Sequence, residues 1–284
     1  MYKNIITKDK DPSRVRKICW AQAAGGCSSS YSSKEHVISN GILKLIGEVK
    51  IKGHKIKRGH YIIKNLCRSH NSRLHLYDEE AVKFYSVIKS IVFNTPTIHL
   101  KNEINSNCEC IININGSDLE CWLAKTFINS VIFTIINFKS KYTPLGPHAH
   151  SIIEALYSGG KFKSPFGLYF RIRPNNFAPN DIGYFNPESM LVELIKAETK
   201  IVTKHEFPLY FHCNFVGIEL IGFYNITELS DENALEGPLK PAHEMLIRDK
   251  WLYKPEKFLI QSAKGPTHTK EDTNKKYIFE FEYK

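Results

Sequence analysis

Hydrophobic positions recur along the chain at two different spacings, and the change between them marks out its elements. From about Ser69, the residues Leu74, Tyr77, Ala81, Phe84, Tyr85 and Ile88 fall three and four apart, which puts them on one face of a helix. Just before it, Tyr61 to Leu66 (YIIKNL) is a short β-branched run that reads as a strand. Further upstream, Glu35-His36 precedes the apolar, β-branched Val37-Ile38, which places the pair at the edge of another short strand. Between them lies a basic loop, EVKIKGHKIKRGH. The first third therefore reads loop, strand, basic loop, strand, helix.

Beyond Phe93 the pattern differs. Ile111 to Asn115 leads into Gly116-Ser117, where Ser117 and Glu120 have the spacing of a capping box. The helix that follows, about Leu119 to Phe138, is apolar nearly all round, so it belongs in a core or an interface. Strand-like runs come next at residues 167–173, 208–224, 257–261 and 277–283, the last alternating as a half-buried strand does. The fold class expected is α+β, with one unit over residues 1–92 and an α+β accessory domain over 93–284 built on a mostly antiparallel sheet. That second part would serve sensing, targeting or oligomerisation.

Charge sharpens this division. Residues 1–90 hold 18 Lys and Arg against 7 Asp and Glu, while residues 91–284 hold 21 against 22. All the excess positive charge thus lies in the first third, the footprint of a nucleic-acid-binding module joined to a neutral partner. The N-terminus has no apolar run of signal-peptide type, and the most apolar stretch, VIFTIINF, is too short to span a bilayer. A soluble cytoplasmic protein is expected, with no membrane partner. Seven cysteines, an odd number, argue against a disulfide framework.

Four of the potential metal ligands fall in a suggestive order. Cys67 and His70 form a Cys-x-x-His pair, and Cys19 and Cys27, with seven residues between them, supply a second pair. Together they suit one tetrahedral Zn²⁺, which would stabilise a small unit with little core; ordinary buried or loop cysteines are the alternative. Cys108 and Cys110 would share one side of a strand, most simply as two ordinary thiols. On a helix, Asn71, His75 and Asp78 lie on one face and can coordinate a hard cation or contact phosphate; a merely solvated helix face is the alternative.

Taken together, Glu35-His36 at a strand edge, the basic loop, the second strand and Cys67-Arg68-Ser69-His70-Asn71 opening a helix with Asp78 resemble the HNH nuclease family. This is the ββα-metal fold, in its zinc-stapled branch, and the likeness covers about residues 17–86. His70 stands where that branch usually has a cysteine. The resemblance implies a DNA endonuclease in which His36 is the general base, while Glu35 and Asn71, with His75 as a third ligand, hold a catalytic Mg²⁺ or Mn²⁺. Zn²⁺ on Cys19, Cys27, Cys67 and His70 would be structural. Lys52, Lys55, Lys57, Arg58, Arg68 and Arg73 would bind neighbouring phosphates of DNA, or of RNA. By analogy, the chain is a restriction-like or phage-defence effector that pairs with a partner ATPase or regulatory protein, or forms a homodimer through the apolar helix. A catalytically silent, zinc-stabilised nucleic-acid binder is the rival reading.

Overall fold

Strand β1 (Ser33–His36) stops at the histidine, and Val37 and Ile38 turn inward to complete burial. A helix, α1 (Asn40–Ile46), follows, and the basic loop proves to be a hairpin of β2 (Val49–Ile51) and β3 (His54–Ile56). Strand β4 (Ile62–Leu66) returns antiparallel to β1, with Glu35 opposite Ile63 and His36 opposite Ile62. The computed structural model describes residues 19–27, 33–46, 49–51, 54–56, 60–93, 109–138, 149–158, 162–172, 185–195, 202–215, 218–224, 240–261 and 276–283.

The expected single helix after β4 is two helices. α2 (Arg68–Arg73) ends at Leu74, whose N–H bonds back to the Asn71 carbonyl at 3.1 Å in a tightened last turn. α3 (His75–Phe93) then starts afresh. Its apolar stripe is as read, with Leu74, Ala81, Phe84, Tyr85 and Ile88 all fully buried.

Strand β5 (Glu109–Asn115) runs directly into α4 (Gly116–Phe138). The cap sits two residues earlier than expected. Asn115 Oδ1 accepts from the Asp118 N–H at 3.1 Å, and its amide donates to the Asp118 carboxylate at 2.7 Å, so Asn115 and Asp118 do what Ser117 and Glu120 were expected to do. Glu80 of α3 accepts from the Asn115 N–H at 2.9 Å and ties the two helices at this end. Every residue of α4 from Leu119 to Phe133 is buried, so this stretch is core within the chain and offers no face for a dimer contact.

After α5 (Ala149–Ser158) come β6 (Gly167–Ile172), β7 (Phe185–Ile195), β8 (Val202–Phe215), β9 (Ile218–Phe223), α6 (Lys240–Arg248), β10 (Leu252–Tyr253), β11 (Lys257–Gln261) and β12 (Lys276–Glu282). A five-stranded sheet has the order β10-β6-β9-β8-β7, antiparallel throughout. The apolar run over residues 208–224 is thus two strands, β8 and β9. A three-stranded sheet, β11-β12-β5, pairs β12 antiparallel to β11 and parallel to β5, from Lys276 opposite Glu109 to Glu282 opposite Asn115.

The α+β class with antiparallel sheets is therefore present, with one parallel pair added. α4 lies at the centre, packed on α3, on β4 and on strands of both sheets. Phe84 of α3 meets Phe170 of one sheet and Phe279 and Phe281 of the other. One buried apolar cluster extends from Cys19 to Phe281, so residues on either side of the expected 92/93 division share a core. Among the described residues, no helix is long and apolar enough to cross a membrane.

Candidate metal centre and the charged cluster beside it

Cys67 closes β4 and caps α2, its sulfur accepting from the His70 backbone N–H at 3.5 Å. That turn brings the His70 imidazole back over Cys67, with Nδ1 3.2 Å from Cys67 Sγ. The other pair arrives on a separate segment. The Trp20 N–H bonds the Asn65 carbonyl at 3.0 Å, which pins Cys19 beside the end of β4, and the Cys67 N–H reaches Cys19 Sγ at 3.4 Å. The seven residues between Cys19 and Cys27 form a 3₁₀ turn, Gln22–Ala24, followed by Gly25 and Gly26 at φ 72° and 68°. Two successive left-handed residues reverse the chain at a position where side chains with a Cβ are strained, and this returns Cys27 to within 3.6 Å of His70 Nδ1.

His70 Nδ1 thus stands 3.5, 3.6 and 3.2 Å from the sulfurs of Cys19, Cys27 and Cys67, and all four ligand atoms lie within 4.8 Å of one another. A tetrahedral zinc ion with its usual bond lengths sets sulfur–nitrogen edges of about 3.6 Å. The four residues therefore fit such an ion. Their electrostatics agree: burial pushes the Cys19 thiol up to about 12 and raises Cys27 as well. Such thiols make poor nucleophiles on their own and ionise in the presence of a cation. Burial also lowers the His70 imidazole, against a hydrogen bond to the Gly25 backbone, which favours the neutral, ligating form. Tyr157 of α5 packs edge-on to that ring at 4.7 Å.

A second cluster joins β1 and α3 to α4. Glu35 is buried at 6 % exposure and faces Lys125 of α4, whose side chain has no solvent exposure at all. Lys125 Nζ is 2.5 Å from Glu35 Oε1 and 2.6 and 2.8 Å from the two oxygens of Asp78. Ser39 donates its hydroxyl to Asp78 and accepts from Trp122 Nε1 at 2.8 Å. The Asn71 side chain lies near enough to Glu35 to favour its ionised form.

Burial raises the Glu35 carboxyl, and Asp78 adds to this, while Lys125 and Asn71 pull it back. For Lys125, burial works toward the neutral amine, but the two carboxylates outweigh it and hold the group at about 12. It is therefore an ammonium ion in the core, a state that requires paired charges.

The expected site residues separate accordingly. Cys19, Cys27, Cys67 and His70 come together. Glu35 and Asn71 come together, with His36 half-buried on the next position of β1. His75 does not join them: because the helix breaks at Leu74, its side chain is 71 % exposed and meets Glu79 at 3.5 Å. Arg68 is exposed at the start of α2. Arg73 is exposed but engaged, donating to the Tyr157 carbonyl at 2.6 Å and lying over the Tyr157 ring. Lys52, Lys57, Arg58 and Cys108 lie outside the described residues, and of Lys55 only the backbone, in β3, is described. Asp78, expected to share a polar helix face with Asn71 and His75, pairs with Lys125 instead. Lys125 was missed, and a lone lysine inside an apolar helix was the available signal.

Fold and site define an α+β protein with a Cys₃His cluster arranged to hold a metal ion such as zinc. No family model matches the chain, and neither a curated protein nor a solved structure does.

Proposed function

We propose that the chain is a zinc-stapled nuclease of HNH type acting on DNA, with His36 as the general base. The observation that supports this reading is the order of elements that carry Glu35-His36, the Cys₃His cluster and Asn71. An antiparallel pair, β1 and β4, runs into α2 past a Cys₃His cluster, with Glu35 and His36 successive at the end of β1 and Asn71 on α2 near Glu35. The net charge of residues 1–90, set by 18 basic against 7 acidic side chains, suits a polyanionic substrate.

In the reaction, the His36 imidazole takes a proton from a water molecule as the water oxygen bonds to phosphorus. The bond from phosphorus to the leaving sugar oxygen breaks, and that oxygen is protonated by solvent. Arg68, exposed at the start of α2, faces the substrate phosphates. A catalytic Mg²⁺ or Mn²⁺ does not fit the residues as they stand. His75 is exposed and meets Glu79, and Lys125 already sits on Glu35 and Asp78. No step is therefore routed through such an ion.

The test is nicking of supercoiled plasmid by the full chain, with and without added divalent ion, compared with His36→Ala. Nicking that disappears in His36→Ala supports the reading; nicking of equal rate in both variants refutes it.

The placement of Lys125 and His75 favours one second reading, a zinc-stabilised nucleic-acid binder without catalysis. In that case DNA is retained in a filter or mobility assay, with a steep loss in salt, and is never cut. In either reading the remainder of the chain provides targeting or regulation, as in a defence or restriction-like effector with a partner protein.

A further inference from the structure

We infer that Lys125 is the resident cation of the Glu35 pocket: its ammonium takes the place on Glu35 and Asp78 that a divalent ion would take, and the pocket works without one. The inference rests on the proposed function only for what the pocket does; its cation is read by binding, so failure of one is distinguishable from failure of the other.

Three features of the structure carry it. The first is the origin of Lys125. It projects from the middle of α4, where Trp122, Leu123, Ala124, Thr126, Phe127, Ile128 and Asn129 are all buried. The helix is fixed on every side, and its ammonium has no exposed path along which to swing away. The second is the contact set. Nζ meets one oxygen of Glu35 and both oxygens of Asp78 at 2.5, 2.6 and 2.8 Å. These are the carboxylate oxygens a hard cation would use, and an ammonium has three N–H donors to spend on them.

The third is the shortage of further oxygen ligands. Ser39 directs its hydroxyl proton at Asp78 while its oxygen accepts from Trp122. His75 is in solvent. A divalent ion entering here would find two carboxylates already paired, and an ammonium repelling it at short range.

The experiment follows Mn²⁺ uptake by the zinc-loaded full chain, from the loss of the free-ion electron paramagnetic resonance signal, alongside thermal melts. Wild type is expected to take up no Mn²⁺ in this pocket at millimolar ion, and its melting temperature should not move. Lys125→Ala opens the two carboxylates and should gain about one ion per chain, with a melting temperature that rises on Mn²⁺ addition. Adding Glu35→Gln to that variant should abolish the gain. Uptake of one ion by wild type that is lost in Glu35→Gln overturns the inference, as does a folded Lys125→Ala that gains none. Should Lys125→Ala not fold, the wild-type titration against Glu35→Gln decides alone, no uptake supporting the inference and a Glu35-dependent ion refuting it.

Discussion

The Cys₃His cluster and the Glu35–Lys125–Asp78 cluster hang from the same strand pair and the same helix start, yet they solve the problem of buried ligand atoms in opposite ways. The first gathers three thiols and an imidazole; burial favours the neutral form of Cys19, Cys27 and His70, and a cation must come from outside to ionise the sulfurs. The second gathers two carboxylates, and the chain itself brings the counter-charge on α4. Donor atoms in the right order therefore indicate a metal only where no cationic side chain reaches them first. The consequence extends to assembly: the Cys₃His cluster fastens residues 19–27 to β4 and α2, whereas the charged cluster fastens β1 and α3 to α4, and so to both sheets.

The largest effect that can break this contrast comes from the thiols. Purified protein should carry about one zinc per chain by elemental analysis. Cys67→Ser should lose it, because Cys67 is at once a ligand and the cap of α2. Structural zinc contributes on the order of 10 kcal/mol or more in small units, comparable to the whole stability of a domain. Circular dichroism should then show the β1–β4–α2 unit unfolding in Cys67→Ser, or when a strong chelator is added. His70→Cys sharpens the point, since a Cys₄ set should still hold zinc; loss of metal there would mean that His70 contributes more than a ligand atom.

Next in size is the ammonium. Lys125→Met leaves two carboxylates buried without a counter-charge, and removing one member of such a group costs about 3–5 kcal/mol. Urea unfolding should register this as a shift in midpoint. Neutralising the partners as well, in Glu35→Gln/Asp78→Asn/Lys125→Met, should return most of the loss, because buried charges replaced together by neutral groups of similar size are often tolerated. A loss of less than about 1 kcal/mol in the single variant would place this pair among surface-type ion pairs and dissolve the contrast.

Glu120 offers a milder version of the same chemistry, one carboxylate with one ammonium. It is fully buried, accepts from the Leu168 N–H at 3.0 Å and meets Lys254 at 2.9 Å. Burial raises its carboxyl to about 7, although Lys254 pulls the other way. The folded state therefore binds this proton more tightly than the unfolded chain. Its contribution to stability is fully present below pH 4.5, the ordinary value, and is lost as pH rises through 7. The span of that shift caps the effect at about 3 kcal/mol. Melting curves between pH 4.5 and 7 should slope downward with pH in wild type and less so in Glu120→Gln; equal slopes would refute the assignment.

What could be read in the sequence was whatever depends on neighbours along the chain. The Cys67–His70 turn, the strand over Ile62–Leu66 and the stripe from Leu74 to Ile88 are set by spacing, and all three are present. The break at Leu74 was not legible, because no Pro or Gly marks it, and it moved His75 off the face it would share with Asn71. Cys27 was readable as a ligand candidate, but the device that returns it, a 3₁₀ turn and two left-handed glycines, was not. Lys125 illustrates the limit most sharply. Its partners are 90 and 47 residues away, and no local pattern distinguishes a lysine buried between two carboxylates from one at the edge of an apolar helix. The α+β class followed from run lengths, while the parallel β5–β12 pair joins strands from nearly opposite ends of the second region.

The smallest effect concerns Ser39, which joins the charged cluster to the aromatic core. Its hydroxyl donates to Asp78 and its oxygen accepts from Trp122 Nε1. In Ser39→Ala, Asp78 keeps both contacts to Lys125, so the cost should arise from the indole N–H, left without its acceptor in the core. An orphaned buried donor costs about 1–3 kcal/mol, which urea unfolding can resolve. The origin of the cost is separable: in a Trp122→Phe background there is no N–H to orphan, and Ser39→Ala should then cost only a few tenths of a kcal/mol. An undiminished cost in that background would show instead that Ser39 acts through Asp78. The hydroxyl would then belong to the counter-charge system, as one more donor completing the shell that Lys125 begins.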